Sequence, residues 1–193
     1  IEVDLIPPPG GYGSDIFKKI SPLGSIPTLK HNNMILYESE IINEYLNELY
    51  PTPPMLTNDI ALNAKIRMIS RFHDTKLEPS IRSFFKYKKQ SKYSYSDITK
   101  DVLNVENQLK IFNTIINDTK YIAKDEITLA DCSFPSWFAL FDIFCNHFKR
   151  QITLKDKIEN YYKNLLNDKF MKNQYNVYYQ NALKWSKESL IEN

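Results

Sequence analysis

Two short segments carry groups in an order that can do chemistry on a small ligand. The first is Ser25-Ile26-Pro27-Thr28, where a proline opens an apolar run. Proline cannot donate to a sheet ladder, and a cis bond between Ile26 and Pro27 would turn the backbone so that Ile26 offers its N–H and C=O to an extended peptide. A trans bond, the commoner state before proline, would make this an ordinary strand start. The second segment is Glu38-Ser39, where an apolar run hands over to an amphipathic helix. There the first-turn N–H groups and the Ser39 hydroxyl point at one spot that favours an anion, such as a carboxylate. The plainer role for Ser39 is to cap the helix, and the two roles can coexist.

Other chemistries find no support in the residues. All four glycines, Gly10, Gly11, Gly13 and Gly24, come early, which removes any later phosphate loop or dinucleotide fingerprint. No HExxH or GxSxG string occurs. The three histidines, His31, His73 and His147, are scattered and receive no role. Cys132 and Cys145 have no nearby set of histidines, which argues against a structural metal site or a disulfide framework and favours a reducing compartment. Both read as small packed residues. Lys86, Lys88, Lys89 and Lys92 alternate with Phe85, Tyr87 and Tyr93, a mixture able to grip single-stranded nucleic acid. With arginine only at positions 67, 71, 82 and 150 and a net charge of +2, a solvated connection is the simpler reading. The chain has 193 residues, 42% of them apolar and 25% charged, which suits a folded globular protein. No apolar run approaches the roughly 20 residues of a membrane span.

The elements that must position these groups fall into two parts. Eight of the ten prolines join the glycines in the first 54 residues, so turns and short strands belong there and long helices belong to the rest. Ile1 to Leu5 alternates apolar with charged and reads as a strand. Ile26 to Leu29 and Met34 to Tyr37, parted by His31-Asn32-Asn33, suit a hairpin. Ile41, Ile42, Tyr45, Leu46 and Leu49 recur at helical spacing up to Tyr50-Pro51. In the second part Ile98, Val102, Val105, Leu109, Phe112 and Ile116 mark one long helix, with Ser96 as its cap. Thr128 and Asp131 form a capping box in which the Asp131 carboxylate reaches back to the Thr128 N–H, with Ile127 set for a staple to Cys132. Asp131 is therefore structural and not a catalytic acid. Pro135 should kink or interrupt the helix that follows. Further helices are expected over Ile158 to Phe170 and Val177 to Leu190.

The stretch from Pro22-Leu23-Gly24-Ser25-Ile26-Pro27 through Leu36-Tyr37-Glu38-Ser39 to Tyr45-Leu46 resembles the glutathione transferase family, and Thr128 to Asp131 resembles that family's capping box. In detail the chain is similar to zeta-class and bacterial members. The resemblance implies an α/β plus all-α fold: an incomplete thioredoxin-like domain over residues 1–52, lacking its first strand and helix, then an all-helical domain over residues 58–193. It implies that glutathione's cysteinyl unit pairs at Ile26 beside a cis Pro27, and that the γ-glutamyl carboxylate sits at Ser39 with Glu38 near the ammonium group. It also implies thiolate attack on a small electrophile, or a related isomerisation or reduction. The family reading further brings a homodimer in the cytoplasm, without metal, nucleic acid or membrane as partner. It places Phe72, His73, Lys76 and Phe84 near the electrophile. A non-catalytic interaction or ligand-binding module of the same fold is the alternative. Ser25 stands where the family commonly has a longer Lys or Gln. The family's catalytic Tyr, Ser or Cys precedes the strand that here begins at Ile1, so an N-terminal βα unit is expected outside this sequence and no catalytic residue is named.

Overall fold

Glycine and proline give the first part of the chain its turns. The computed structural model describes residues 2–88 and 94–188, and the chain separates into two units, Ile1–Met55 and Leu56–Asn193. In the first unit, residues 2–7 run without secondary structure, and Leu5 is 93% exposed. The expected strand at Ile1 to Leu5 is therefore not formed over its described residues. Alternation alone does not make a strand: its N–H and C=O groups need a paired neighbour, and none is present among the described residues.

Ser14 caps the short helix α1 (Asp15–Lys18), accepting from the Phe17 N–H at 3.1 Å and donating to the Pro9 carbonyl at 2.7 Å. This buries Phe17. Gly24, at φ 60, accepts from the Gly13 N–H, and a Cβ on it would sit 3.2 Å from the Gly13 backbone. Only glycine meets both demands. Strands β1 (Thr28–His31) and β2 (Met34–Tyr37) then pair antiparallel, as expected, around Asn32 at φ 54. Helix α2 (Ser39–Leu49) follows and buries Ile42.

The second unit is helical. Asp59 caps α3 (Ile60–Phe72) by accepting from the Ala61 and Leu62 N–H groups at 2.8 and 3.2 Å. A π turn (His73–Leu77), α4 (Glu78–Arg82) and α5 (Phe85–Lys88) continue the path. Helix α6 (Tyr95–Ile115) carries the predicted buried stripe, with Ile98, Val105, Leu109 and Phe112 inside. Its cap is Ser94 and not Ser96. A capping box needs an acceptor side chain three residues on, and Asp97 supplies it for Ser94, whereas the Thr99 hydroxyl donates to the Tyr95 carbonyl.

Thr128 and Asp131 do form a capping box, here on a single 3₁₀ turn (Leu129–Asp131). Both are fully buried. The Asp131 carboxylate accepts from the Thr128 N–H and hydroxyl, each at 2.8 Å, and from the Ile122 N–H at 3.1 Å. Helix α7 (Phe134–His147) starts afresh after that turn, with Pro135 in its first turn, where the missing N–H removes no helical bond. Phe134 stacks on Phe112 at 5.0 Å and meets Tyr161 edge-on at 5.6 Å, so α6, α7 and α8 (Asp156–Asn167) share one aromatic core. Cys132 is exposed, against the expectation that it is packed, because the cap turn faces it outward. Cys145 is partly covered, and burial pushes its thiol up to about 11, which keeps it unreactive.

The helix expected through Phe170 stops at Asn167. Asp168 breaks it by capping α9 (Lys169–Glu188), accepting from the Phe170 and Met171 N–H groups, both at 2.9 Å, and from the Tyr121 hydroxyl at 2.8 Å. Leu190 lies outside the described residues.

The Met171 N–H, with the Tyr121 hydroxyl and the Phe170 N–H, holds the Asp168 carboxyl below the ordinary carboxylate range. A depressed folded value means the stabilisation is fully present above the unfolded carboxyl's pKa of about 3.9 and is lost as pH falls through the folded one. Urea unfolding from pH 5 to pH 2 is expected to show a smaller fall in stability for Asp168→Asn than for the parent, the two curves converging at the acid end. Parallel curves would contradict this.

Candidate functional site

The hairpin brings the two chemically suggestive segments to the same end of the sheet. Thr28 pairs with Tyr37, so Pro27 precedes and Glu38 follows the same paired end. The Ile26–Pro27 peptide is cis. Among the described residues neither the N–H nor the C=O of Ile26 enters a backbone hydrogen bond, and the residue is 62% exposed. A donor and an acceptor in one extended residue can pair with the main chain of a peptide-like ligand.

Helix α2 follows directly on that end of the hairpin. Its first helical bond runs from the Ile42 N–H to the Glu38 carbonyl, so the N–H groups of Ser39 and Ile41 have no partner within the helix. No side chain caps them: Glu38 is the N-cap residue but makes no capping bond, and Ser39 is already the first helical residue. The plainer role proposed for Ser39, that of the N-cap, is therefore not the one it plays. Glu38 adopts φ 75 and ψ 114, a conformation that non-glycine residues adopt only under constraint, at a cost on the order of 1–3 kcal/mol. The N–H dipoles at the start of the helix concentrate positive potential there, which favours a carboxylate. The Glu38 carboxylate and the Ser39 hydroxyl are both exposed at its rim.

The same unit holds a cleft of about 570 Å³ between residues 2–9, β1 and α2. Ile26 and the apolar Leu29 and Leu46 line it, together with His31 and Tyr45. The His31 Nδ1 lies 2.5 Å from the Tyr45 hydroxyl. No sequence signal marked this pair, because residues fourteen apart on a strand and a helix share no periodicity. The outer edge of β1 is unpaired among the described residues. Among those residues no group of three or more His, Cys, Asp or Glu side chains is arranged to hold a metal ion, and no helix is long and apolar enough to cross a membrane.

Residues expected near the electrophile turn out differently. His73 and Phe84 are buried at 4% and 3% exposure inside the helical unit, and Phe72 stacks on Phe112 at 6.2 Å. Helical phase could not distinguish a core face from a ligand-facing one: the core has taken His73 and Phe84, Phe72 is half-buried and Lys76 is exposed. Lys86 bonds to the Asp101 carboxylate at 2.7 Å and lies 4.9 Å from the Tyr87 ring, so part of the lysine and aromatic run is internal structure. Lys89, Lys92 and Tyr93 lie outside the described residues.

Comparison with known proteins bears on this geometry. Residues 1–54 match the model of the glutathione S-transferase N-terminal domain family. A stringent starvation protein A homolog from Haemophilus ducreyi is 27% identical over 119 residues, 62% of this chain and 53% of the relative. The maleylacetoacetate isomerase of Mus musculus is 28% identical over 140 residues, 70% of this chain and 62% of the relative. The chain thus spans little more than half the length of such relatives. Among solved structures, a glutathione transferase from Bombyx mori superposes with a TM-score of 0.72 at 18% identity, covering 90% of this chain and 78% of the other. A bacterial zeta-class maleyl pyruvate isomerase gives 0.64 at 20% identity, with coverages of 83% and 77%.

If Glu38 is strained as its dihedrals indicate, glycine at that position should relieve it. Glu38→Gly is expected to raise stability by about 1 kcal/mol, the relief of strain exceeding the entropy that glycine adds to the unfolded chain. Thermal unfolding checks it; a lowered melting temperature would show that Glu38 is at ease there.

Proposed function

We propose that the protein binds glutathione and uses its thiolate against a small electrophile, by conjugation or by isomerisation, because residues 1–54 match the glutathione S-transferase N-terminal domain model and 90% of the chain superposes on a glutathione transferase structure. The observation that carries this reading is the cis Ile26–Pro27 bond, with the main-chain N–H and C=O of Ile26 in no backbone hydrogen bond, at the hairpin end that leads into the start of α2. In this reading the cysteinyl unit pairs with Ile26 beside cis Pro27. The γ-glutamyl carboxylate accepts from the α2 N–H groups and the Ser39 hydroxyl. Its ammonium group lies by Glu38. The separation of charge matches the ligand, since donors sit at the helix start and a carboxylate sits beside them.

The chemistry asked of the site is modest in kind. A free thiol has a pKa of about 8.5, so holding it as thiolate near neutral pH needs a donor aimed at sulfur. In conjugation the thiolate forms a carbon–sulfur bond and the electrophile releases a leaving group or accepts a proton. In isomerisation the thiolate adds, a bond rotates, and the same thiolate leaves. The relatives named maleylacetoacetate isomerase support including the second course. The protein is proposed to act as a homodimer in the cytoplasm with no metal.

Titration calorimetry with reduced glutathione tests the site, and turnover of a chlorinated aromatic acceptor tests the reaction. Ser39→Ala is expected to weaken binding about tenfold, the value of one hydrogen bond to a charged group. No binding by the parent protein, or equal binding by the variant, would defeat the assignment.

A further inference from the structure

Helix α9 rests on α7 and α8, but little apolar burial holds it there. Its inward stripe is Tyr175, Tyr178, Tyr179, Ala182 and Leu183, at helical spacings of three and four, yet each of these is only partly buried. From residue 172 to residue 185 no side chain of the helix is buried, whereas α7 buries Trp137, Phe138, Leu140 and Phe141 to 4% exposure or less. An element with few buried apolar contacts sits at the low end of local stability.

A polar junction supplies what apolar contact does not. The Asp142 carboxylate of α7 accepts at one oxygen, Oδ2, from the Tyr162 hydroxyl of α8 and from the Tyr175 hydroxyl of α9, the latter at 2.5 Å. Three helices thus meet at one atom. Burial, and then the carboxylate itself, push both phenols above the ordinary tyrosine range, so both stay protonated and donate. Tyr162 also stacks on Phe138 of α7 at 4.4 Å, while Tyr175 stacks on Tyr179 of its own helix at 5.8 Å. The start of α9 is anchored separately, by Asp168 with its bond from Tyr121 and by buried Met171. Toward the other end the Trp185 ring meets Phe85 of α5 at 4.9 Å and is still 42% exposed.

We propose that α9 is a strap that opens as a unit from Tyr175 onward, hinged between Asp168 and Met171 and latched by the bond from Tyr175 to Asp142. Opening uncovers the side of α7 that carries Asp142, where Ala139 and Phe138 lie three and four residues before it. The core beneath stays closed, because Phe112, Phe134 and Tyr161 of α6, α7 and α8 pack on one another without α9. A hydrogen bond to a carboxylate is stronger than one between neutral groups, so this single bond sets how often the strap opens. All the residues invoked belong to the second unit, so the strap is independent of the glutathione reading.

Native-state hydrogen exchange on the whole protein, read amide by amide, tests it. In the parent the amides of residues 178–185 are expected to exchange at least about tenfold faster than those of Leu109 and Phe138 in the core. Tyr175→Phe keeps the ring and removes the latch, and should speed residues 178–185 about tenfold further. Tyr162→Phe leaves the bond from α9 to α7 in place and should speed them much less. Val105→Ala, inside α6, weakens contacts that break only when the whole unit unfolds, so it should speed Leu109 and leave residues 178–185 unchanged. Residues 178–185 as slow as Leu109 in the parent, unmoved by Tyr175→Phe, or speeded as much as Leu109 by Val105→Ala would overturn the proposal.

Discussion

A helix that starts without a cap leaves donors that something must accept, and the functional account rests on that constraint at α2. The N–H groups of Ser39 and Ile41 have no helical partner, and the residue placed to cap them, Glu38, is turned into a conformation from which its side chain does not. Water can satisfy such groups, but a carboxylate satisfies them with a favourable charge as well. The hairpin then decides what kind of carboxylate. Because β1 and β2 pair with Thr28 across from Tyr37, the chain enters α2 from the same hairpin end at which Ile26 leaves its own main chain out of any backbone hydrogen bond. An anion attached to a short stretch of peptide fits that juxtaposition better than an anion alone.

In the helical unit a different polar group governs order. Asp131 is fully buried and accepts three hydrogen bonds, from the Ile122 N–H and from both donors of Thr128. One carboxylate thereby ties the segment after α6 to the turn before α7. Leaving any of those donors unmet in the interior would cost about 1–3 kcal/mol each. The aromatic layer of Phe112, Phe134 and Tyr161 packs directly beyond this junction, so its register follows from a polar bond network rather than from apolar contact alone.

What the residues revealed in advance was whatever local physics decides. The hairpin around Asn32, the amphipathic α2, the stripe on α6 and the Thr128 to Asp131 box all follow from neighbours within a few positions, and each appears as expected. The errors came where distant partners decide. Ile1 to Leu5 alternates like a strand yet has no neighbour to bond, and His73 and Phe84 have a helical phase compatible with a cleft yet are claimed by the core. Asp168 looked like a helix interior residue, since a cap differs from an interior position only in backbone angle. Of the candidate site, Ile26, Pro27, Glu38 and Ser39 were legible as residues. The strain at Glu38 and the His31 to Tyr45 contact were not, because neither leaves a pattern along the chain.

The most direct measurement is a map of amide chemical shifts during titration with reduced glutathione. Movement concentrated at Ile26, Ser39, Glu40 and Ile41 is the predicted result, with the α2 amides shifting in the sense of a new charged acceptor. Saturable shifts confined to other residues, or none at millimolar ligand, would contradict the account at its base.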